Sequence, residues 1–323
     1  MRVAFVGKGG SGKTTLSSLF ARYAATRARV VAIDADINQH LALVLGAAQQ
    51  PRPLGGMLTE IKDHLRGDNP RIPSASVMVK TTPPGRGSRL HTLDDAFFPS
   101  VEVEGLRLMA TGPFGENDLG VACYHSKVGA VELYLNHLVD GPGEYVVVDM
   151  TAGADSFASG MFTKFDVTFL VVEPTRQGVS VYRQYQEYAA EFDVAVAVVG
   201  NKVQTPDDRA FLRDQVGPDL LTCLDHSPAV RAMEQGRAFT LDDLEPGNLA
   251  GLQTLLDRVD AAEKDWAKFG RQAHEFHLRN ARAWADKATG VDLADQIDPD
   301  FIFGSVALEN ETRAAEGRLW LAL

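Results

Sequence analysis

The sequence predicts an α/β fold in which a mostly parallel sheet is covered by helices on both faces. Two observations predict it. Apolar runs rich in β-branched residues alternate with stretches of helical spacing, a pattern typical of parallel strands buried between helices. The first such run, at residues 3–6, is followed by a glycine-rich loop and then by a helix-like stretch at 15–25. In an open parallel sheet this order places a ligand at the carboxyl end of the first strand.

The glycine-rich loop at residues 7–14 reads GKGGSGKT and fits the pattern G-x-x-x-x-G-K-[ST]. Glycines let the backbone turn so that successive N–H groups and the positive helix end point at one phosphate cluster. Lys13 supplies a positive charge to the phosphates, and Thr14 a hydroxyl ligand for Mg²⁺. We therefore predict a P-loop NTPase whose nucleotide-binding loop residues are Gly9, Gly10, Ser11, Gly12, Lys13, Thr14 and Thr15.

Further apolar runs predict the remaining strands of the sheet, at residues 29–33, 106–110, 145–148, 167–172 and 194–199. Three tyrosines, Tyr182, Tyr185 and Tyr188, follow the predicted strand at 167–172. Their helical spacing favours a packing stripe over a functional cluster.

Two regions depart from the alternation of strands and helices. Residues 49–98 are rich in Pro, Gly and polar side chains, and they predict a loop-rich insertion with a short helix at 58–65. From 249 to 288 apolar residues recur at helical spacing, which predicts one or two long helices with Gly270 at their junction. The predicted organisation is a P-loop ATPase domain at 1–248, containing the insertion, and a helical C-terminal extension at 249–323.

Acidic residues end two of the predicted strands. Asp34 and Asp36 close the second strand, and Asp149 closes the run at 145–148. Because the ligand lies beyond the carboxyl ends of parallel strands, these carboxylates are expected to face the nucleotide. A strand ending as the one before Asp149 does supplies the Walker B aspartate, which secures Mg²⁺ through water, and Gly153 can then offer its N–H to the terminal phosphate. For Asp34 and Asp36 the alternative is a strand-to-loop transition with solvated acids.

Asn201 ends a further strand and is followed by a lysine. An asparagine amide both donates and accepts hydrogen bonds, which suits the edge of adenine. The alternative is a turn residue at a strand end, a position that asparagine fills readily. Gln204 stands where the guanine-reading pattern N-K-x-D has its aspartate, so the sequence favours ATP over GTP.

The second lysine of the loop, Lys8, gives the string K-G-G-x-G-K-T, which resembles the deviant phosphate-binding loop of the ParA/MinD family of ATPases. The resemblance implies that Lys8 reaches across a dimer to the nucleotide of the partner subunit. It also implies that Asp36 orients or polarises the attacking water and that Asp34 helps to hold the magnesium shell. The alternative for Lys8 is a solvated lysine. On this resemblance the catalytic residues are Lys8, Lys13 and Asp36, and the Mg²⁺ residues are Thr14, Asp34 and Asp149.

Within that family, residues 1–250 look most like the carbon monoxide dehydrogenase maturation ATPases, called CooC, which help to insert nickel. The similarity depends on the segments at 120–138, 149–153, 172–175 and 201–202. In CooC a Cys-x-Cys pair precedes the Walker B strand, and four thiolates from two subunits bind one metal ion. This chain retains Cys123, with His125 in place of the second cysteine, and two copies of each would suit a tetrahedral Zn²⁺ or Ni²⁺ site at a dimer interface. The alternative is a free, partly buried cysteine.

Composition disfavours several classes of protein. The net charge is −11, from 32 basic and 43 acidic residues without a concentrated basic run, which disfavours non-specific nucleic-acid binding. No apolar run approaches the roughly 20 residues that span a bilayer, and the chain enters a strand at once without room for a signal peptide, so we expect a cytoplasmic protein. In that reducing compartment a disulfide between Cys123 and Cys223 is not expected.

The function that these features predict is an ATP-binding and ATP-hydrolysing switch that is a homodimer when ATP is bound. We expect slow turnover and action on a partner protein whose identity the sequence does not give. One alternative is a positioning ATPase that cycles on a membrane, as MinD does, or on a partner surface. Membrane binding would need a basic amphipathic helix, but the segment 309–323 has only two arginines, at 313 and 318, against three glutamates. The other alternative is a small-molecule ligase or kinase, for which no substrate pocket is identifiable.

Overall fold

The computed structural model describes residues 1–113, 124–153, 157 and 160–304, and for 124–126 the backbone alone. In these residues eight strands form one sheet in the order β3-β4-β2-β5-β1-β6-β7-β8. Every neighbouring pair is parallel except β3 with β4. The predicted fold class is confirmed. The strands are β1 (Arg2–Gly7), β2 (Arg29–Asp34), β3 (Val101–Val103), β4 (Leu106–Ala110), β5 (Glu144–Asp149), β6 (Val167–Val172), β7 (Val196–Val203) and β8 (Leu220–Asp225).

The described α-helices connect these strands or follow them. Short 3-10 turns and one π-helical turn at Ala281–Ala285 separate several of the helices. The α-helices are α1 (Lys13–Ala25), α2 (Leu41–Val44), α3 (Leu58–Arg66), α4 (Tyr124–His137), α5 (Arg176–Glu191), α6 (Pro206–Val216), α7 (Pro228–Glu234), α8 (Pro246–Asp260), α9 (Trp266–Asn280) and α10 (Asp286–Thr289).

The four central strands are buried because their sequences are apolar along almost their whole length. Each residue of β1, β5 and β6 is buried, as are the last five of β2. On one face of the sheet, Phe5 of β1 packs its ring 5.6 Å from Phe20 of α1 and 5.3 Å from Phe169 of β6. This contact seats α1 on the sheet, so the loop between β1 and α1 is fixed at both ends.

The chain divides into two compact units. The first comprises 1–53, 99–113 and 143–264, and it contains the whole sheet with α1 and α8. The second includes, among described residues, 54–98, 124–142 and 265–304, with α3, α4 and α9. Residue 248, at the predicted domain boundary, lies within α8 in the first unit. The division predicted from the sequence stays a prediction.

The helices after residue 245 differ in one respect from the prediction. Gly270 was expected at the junction of two helices, but it lies inside α9, and this prediction is wrong. The break falls at residues 261–265, where Asp265 caps α9 by accepting a hydrogen bond of 2.8 Å from the N–H of Lys268. The Asp265 cap satisfies an N–H group at the start of α9, and a glycine inside a helix costs only about 1 kcal/mol, so α9 continues through Gly270.

The interior of the second unit contains an aromatic cluster. Phe98 is 2% exposed, with its ring 4.8 Å from Tyr134 and 4.4 Å from His91. Phe97 stacks on His64 at 3.7 Å. In the part of the chain that the structure describes, no helix has the length and apolar character needed to cross a membrane.

Candidate functional site

The loop at residues 7–14 lies between the carboxyl end of β1 and the start of α1. Its turn is closed by a hydrogen bond of 3.1 Å from the N–H of Ser11 to the carbonyl of Lys8. Gly12, the residue before α1, has φ of +93°, and a Cβ there would overlap the side-chain nitrogen of Asn201. The positive φ favours glycine at position 12, and a side chain there would displace the Asn201 amide from the carbonyl of Ser11. The first N–H groups of α1 lie at the end of this turn, as an anion-binding loop requires.

The two acid-ended strands bring their carboxylates together. β2 and β5 are neighbours, and Asp34 lies directly opposite Asp149 in their register. Both are buried, with 1% and 0% of their surface exposed. The hydroxyl of Thr14 donates to Asp149 Oδ2 at 2.6 Å, while Oδ1 of the same carboxylate is buried without a hydrogen bond from the described residues. The predicted Mg²⁺ residues Thr14, Asp34 and Asp149 thus lie together.

Burial changes the protonation of these acids. It raises the pKa of Asp34 to about 7, and the charge of Asp36 adds to the rise against hydrogen bonds from the N–H groups of Leu41 and Asp36. It also raises the pKa of Asp149, to which the charge of Asp34 contributes, while Thr14 and Lys13 act in the opposite direction. A cation beside the pair would favour the ionised forms of both.

These residues fit a magnesium ion. Mg²⁺ prefers oxygen ligands and keeps several waters, so it is usually held by one or two carboxylates together with substrate phosphates. The buried and unpartnered Oδ1 of Asp149 and the adjacent Thr14 hydroxyl provide such oxygens. Among the described residues there is no group of three or more His, Cys, Asp or Glu side chains suited to a metal ion.

Asp36 lies in an ordered loop after β2. Its Oδ1 accepts two hydrogen bonds of 2.9 Å from Asn38, one from the backbone N–H and one from the side-chain amide. Gln39 follows with φ of +53°, and its side-chain Oε1 accepts a hydrogen bond of 3.0 Å from the N–H of Gly112. A left-handed glutamine is uncommon and is retained where the surrounding contacts fix it. Sequence reasoning missed Gln39, because no local pattern marks a glutamine in this conformation.

Asn201 and Lys202, at the end of β7, contact the loop itself. The Asn201 amide donates to the carbonyl of Ser11 at 2.8 Å. The Lys202 ammonium donates to the carbonyl of Gly10 at 2.5 Å and pairs with Glu173 at 2.8 Å. The predicted adenine contact of Asn201 stays a prediction. Lys202 was missed, although the Asn-Lys pair in the sequence was the signal that could have identified it.

A cavity of about 270 Å³ lies beside the loop in the first unit. Thr15 and Glu234 meet at its wall, where the Thr15 hydroxyl donates to the Glu234 carboxylate at 2.6 Å. The residues contributed by β8 and α7 carry no motif, and the sequence did not indicate them. The polar residues lining the cavity include Asn201, Lys202, Asp225, His226, Ser227, Arg231 and Asn248.

The remaining predicted residues either make contacts with α5 or lie outside the described part of the chain. The Lys8 ammonium donates to the side-chain oxygen of Gln177 at 3.0 Å. Gly153 has φ of +72°, and its carbonyl accepts a hydrogen bond of 3.4 Å from the Tyr185 hydroxyl. Cys123 lies outside the described residues, as does the side chain of His125.

Two members of the predicted tyrosine stripe pack as expected. Tyr182 and Tyr185 are 4% and 2% exposed, whereas Tyr188 is 43% exposed. The Tyr182 hydroxyl donates to the Asp219 carboxylate at 2.6 Å. The stripe thus combines packing with hydrogen bonds from its buried hydroxyls.

Comparison with known proteins identifies similar sequences and folds. Residues 3–281 match the family model described as the CobQ/CobB/MinD/ParA nucleotide binding domain. The carbon monoxide dehydrogenase accessory protein CooC of Rhodospirillum rubrum is 26% identical over 80% of this chain and 97% of its own. These two matches confirm the resemblance to the ParA/MinD class and to CooC.

Solved structures share the fold. The septum site-determining protein MinD of Pyrococcus horikoshii OT3, complexed with Mg-ADP, has a TM-score of 0.51 at 15% identity and covers 80% of this chain and 96% of its own. The cell division ATPase MinD of Pyrococcus furiosus has a TM-score of 0.52 at 16% identity, covering 81% and 99%. At such low identity this likeness establishes the fold alone.

Proposed function

This chain belongs to the CobQ/CobB/MinD/ParA family of nucleotide-binding domains, a family of ATPases, and on that premise we propose that it is an ATP-dependent homodimeric switch acting on a partner protein. The observation that carries the proposal is the buried pair of Asp34 and Asp149 beside the Thr14 hydroxyl. Two buried carboxylates with raised pKa values are costly to ionise unless a cation joins them. MgATP brings that cation.

The loop at residues 7–14 and the polar residues at the strand ends beside it have separate roles in this proposal. The N–H groups of residues 9–15 and the Lys13 ammonium bind the phosphates. Thr14, Asp34 and Asp149 hold the magnesium shell, and bound Mg²⁺ supplies charge neutralisation of the phosphates. The Gly153 N–H donates to the terminal phosphate, so loss of that phosphate on hydrolysis releases the segment that follows β5. The adenosine occupies the cavity beside Thr15, with Asn201 at its wall.

Asp36 is proposed to orient the attacking water. Its Oδ1 is fixed by the two hydrogen bonds from Asn38, and only 8% of the residue is exposed. A fixed carboxylate beside the acid pair can hold a water molecule for in-line attack on a terminal phosphate. Asp36→Ala should retain ATP and remain dimeric, which makes it suitable for isolating the unidentified partner. We place this activity in the cytoplasm on the composition of the sequence.

The dimer itself is tested through Lys8. Lys8→Ala should abolish ATP-dependent dimerisation, because the ammonium expected to contact the partner's nucleotide is lost. ATP affinity should remain within about threefold of wild type, since Lys13 and the loop N–H groups stay in place. Analytical ultracentrifugation with and without MgATP measures the first quantity, and calorimetric titration the second. Dimers of Lys8→Ala that form with ATP as in wild type would contradict the proposal.

We further propose, from the likeness to CooC, that two copies of Cys123 and His125 bind Zn²⁺ or Ni²⁺ across the dimer. The donor set suits a tetrahedral site for either ion. Metal stoichiometry of the dimer, measured by elemental analysis after equilibration with each ion, should fall from one per dimer to none in Cys123→Ala. A stoichiometry that Cys123→Ala leaves unchanged rejects this site without affecting the proposed switch.

A further inference from the structure

The Lys8 side chain is engaged within its own subunit. Its ammonium nitrogen lies 3.0 Å from the amide oxygen of Gln177, which stands on the first turn of α5. Lys8 is half-buried, and Gln177 is exposed. The proposed dimer requires the same ammonium to reach the partner's nucleotide. Because this contact directs the ammonium towards α5 of its own subunit, we expect it to break when the dimer forms.

The position of Gln177 relative to the loop is fixed by its neighbours. The hydroxyl of Thr175 caps α5 by accepting a hydrogen bond of 3.0 Å from the N–H of Gly178. Gly178 packs directly on the backbone of Glu173, leaving no space for a Cβ. Glu173 in turn pairs with Lys202, whose ammonium also binds the carbonyl of Gly10. This chain of contacts joins the start of α5 to the loop that carries Lys8.

We propose that Gln177 is a positioning residue that holds Lys8 in its own subunit until ATP-dependent dimerisation withdraws it. The inference rests on the proposed role of Lys8 at the dimer interface. An amide oxygen accepts one hydrogen bond from an ammonium but carries no net charge, so the partner's phosphates compete with it successfully. A carboxylate at position 177 would form an ion pair with Lys8 and oppose the exchange.

An acidic residue and an apolar residue at position 177 should therefore have opposite effects on dimerisation. Gln177→Glu should raise the dissociation constant of the ATP-bound dimer about two- to fivefold, the range expected of an exposed ion pair. Gln177→Met keeps the chain length and removes the amide, and it should lower the same constant by a similar factor. ATP affinity of the monomer should be unchanged in both variants. The effect of Gln177→Glu should shrink in high salt, because the ion pair is exposed.

A second measurement does not depend on dimerisation. In the nucleotide-free protein, acetylation of Lys8 by acetic anhydride, followed by peptide mass spectrometry, reports how firmly the amine is held. Labelling of Lys8 should be about two- to fivefold faster in Gln177→Met than in wild type and slower in Gln177→Glu. Arg176→Gln is the matched control, since it makes the same change in net charge at the adjacent exposed position. It should leave Lys8 labelling at the wild-type rate.

The outcomes separate this inference from the function on which it rests. Opposite shifts in both measurements support it. If both substitutions shift dimerisation or labelling in the same direction, or Arg176→Gln reproduces Gln177→Glu, the role of Gln177 is rejected. If the wild-type protein does not dimerise with MgATP, the proposed dimer is rejected. If Lys8 is labelled at the same rate in wild type and in every variant, the retention of Lys8 by Gln177 is rejected as well.

Discussion

The buried acid pair at the carboxyl edge of the sheet differs from a buried histidine of the second unit, His277. At the sheet edge, Asp34 and Asp149 lie side by side, and burial raises the pKa of each. In the second unit, His277 is fully buried, and its Nε2 lies 2.9 Å from the carbonyl oxygen of Leu293. Burial lowers the pKa of His277 to about 4, and nearby His274 acts in the same direction.

The two regions differ in whether the hydrogen-bonding atoms of a buried polar group are satisfied within the protein. His277 is neutral at physiological pH and has protein partners at both ring nitrogens, Thr81 and Leu293. Asp149 has an oxygen that no described residue satisfies. Buried polar groups are nearly always hydrogen-bonded, so an unsatisfied buried carboxylate oxygen needs an explanation, and a bound cation is one. The contrast can be tested by changing one region at a time.

The largest effect is expected from removing the positively charged side chain of Lys13 in the loop at residues 7–14. Lys13 is 6% exposed and lies close enough to Asp149 to lower its pKa. Lys13→Ala should reduce ATP affinity at least about 100-fold, because several charge-assisted hydrogen bonds to phosphate are lost together. Calorimetric titration measures the affinity. The second unit should be unaffected, and its unfolding can be followed through Trp266 and Trp284, since all three tryptophans lie beyond residue 264.

The next effect is a dependence of stability on pH. The pKa of Asp34 is about 7 in the folded chain, above its unfolded value, so the folded state binds more protons between about pH 4 and 7. The free energy of unfolding of the nucleotide-free protein should therefore fall as pH rises, by about 2–3 kcal/mol between pH 5 and 7.5. Urea unfolding followed by circular dichroism at pH 5 and 7.5 measures it, and Mg²⁺ should reduce the loss.

Asp149→Asn sharpens that test. Asp149 has a raised pKa of its own, to which the charge of Asp34 contributes, so the variant removes one of the two buried carboxyls whose ionisation opposes folding. The loss of stability with rising pH should become smaller, and Mg²⁺ should protect less. Asp207→Asn, at an exposed position of α6 in the same unit, is the matched control and should retain the wild-type slope. A slope equally steep in Asp149→Asn and wild type would show that the acid pair does not set it.

The second unit should respond to pH in the opposite direction. The pKa of His277 is about 4, below its unfolded value near 6.5, so the unfolded state binds more protons between these values. Its contribution to stability is complete above pH 6.5 and is lost as pH falls towards 4, on the order of 3 kcal/mol. Unfolding followed by tryptophan fluorescence should show this slope in full in wild type, somewhat reduced in His274→Gln because His274 helps to lower the pKa of His277, and absent in His277→Gln. An unchanged slope in His277→Gln would assign it to other groups.

The sequence was sufficient for the regions where local pattern and tertiary structure agree. The central strands were predicted because their apolar runs are buried on both faces, whereas β8 was missed because most of its residues are half-exposed. The acid pair followed from strand ends that neighbouring strands bring together. Gln177 lies 169 residues from Lys8, and such a contact between distant segments has no local signal. Gln39 and the cavity wall were missed for the same reason.

The smallest effect compares two hydroxyls on one helix. Tyr182 of α5 donates at 2.6 Å to Asp219, whereas Tyr185 donates at 3.4 Å to the carbonyl of Gly153. Tyr182→Phe should cost about 1 kcal/mol of unfolding free energy, because a short hydrogen bond to a carboxylate is lost, and should leave ATP turnover unchanged.

Tyr185→Phe removes a longer and weaker bond, so stability should change less. It removes one contact of the Gly153 carbonyl, and the KM for ATP should shift about twofold. Urea unfolding and steady-state ATPase assays on both variants would show this crossed pattern. A KM that moves equally in the two variants would mean that the helix acts through packing rather than through the Gly153 contact.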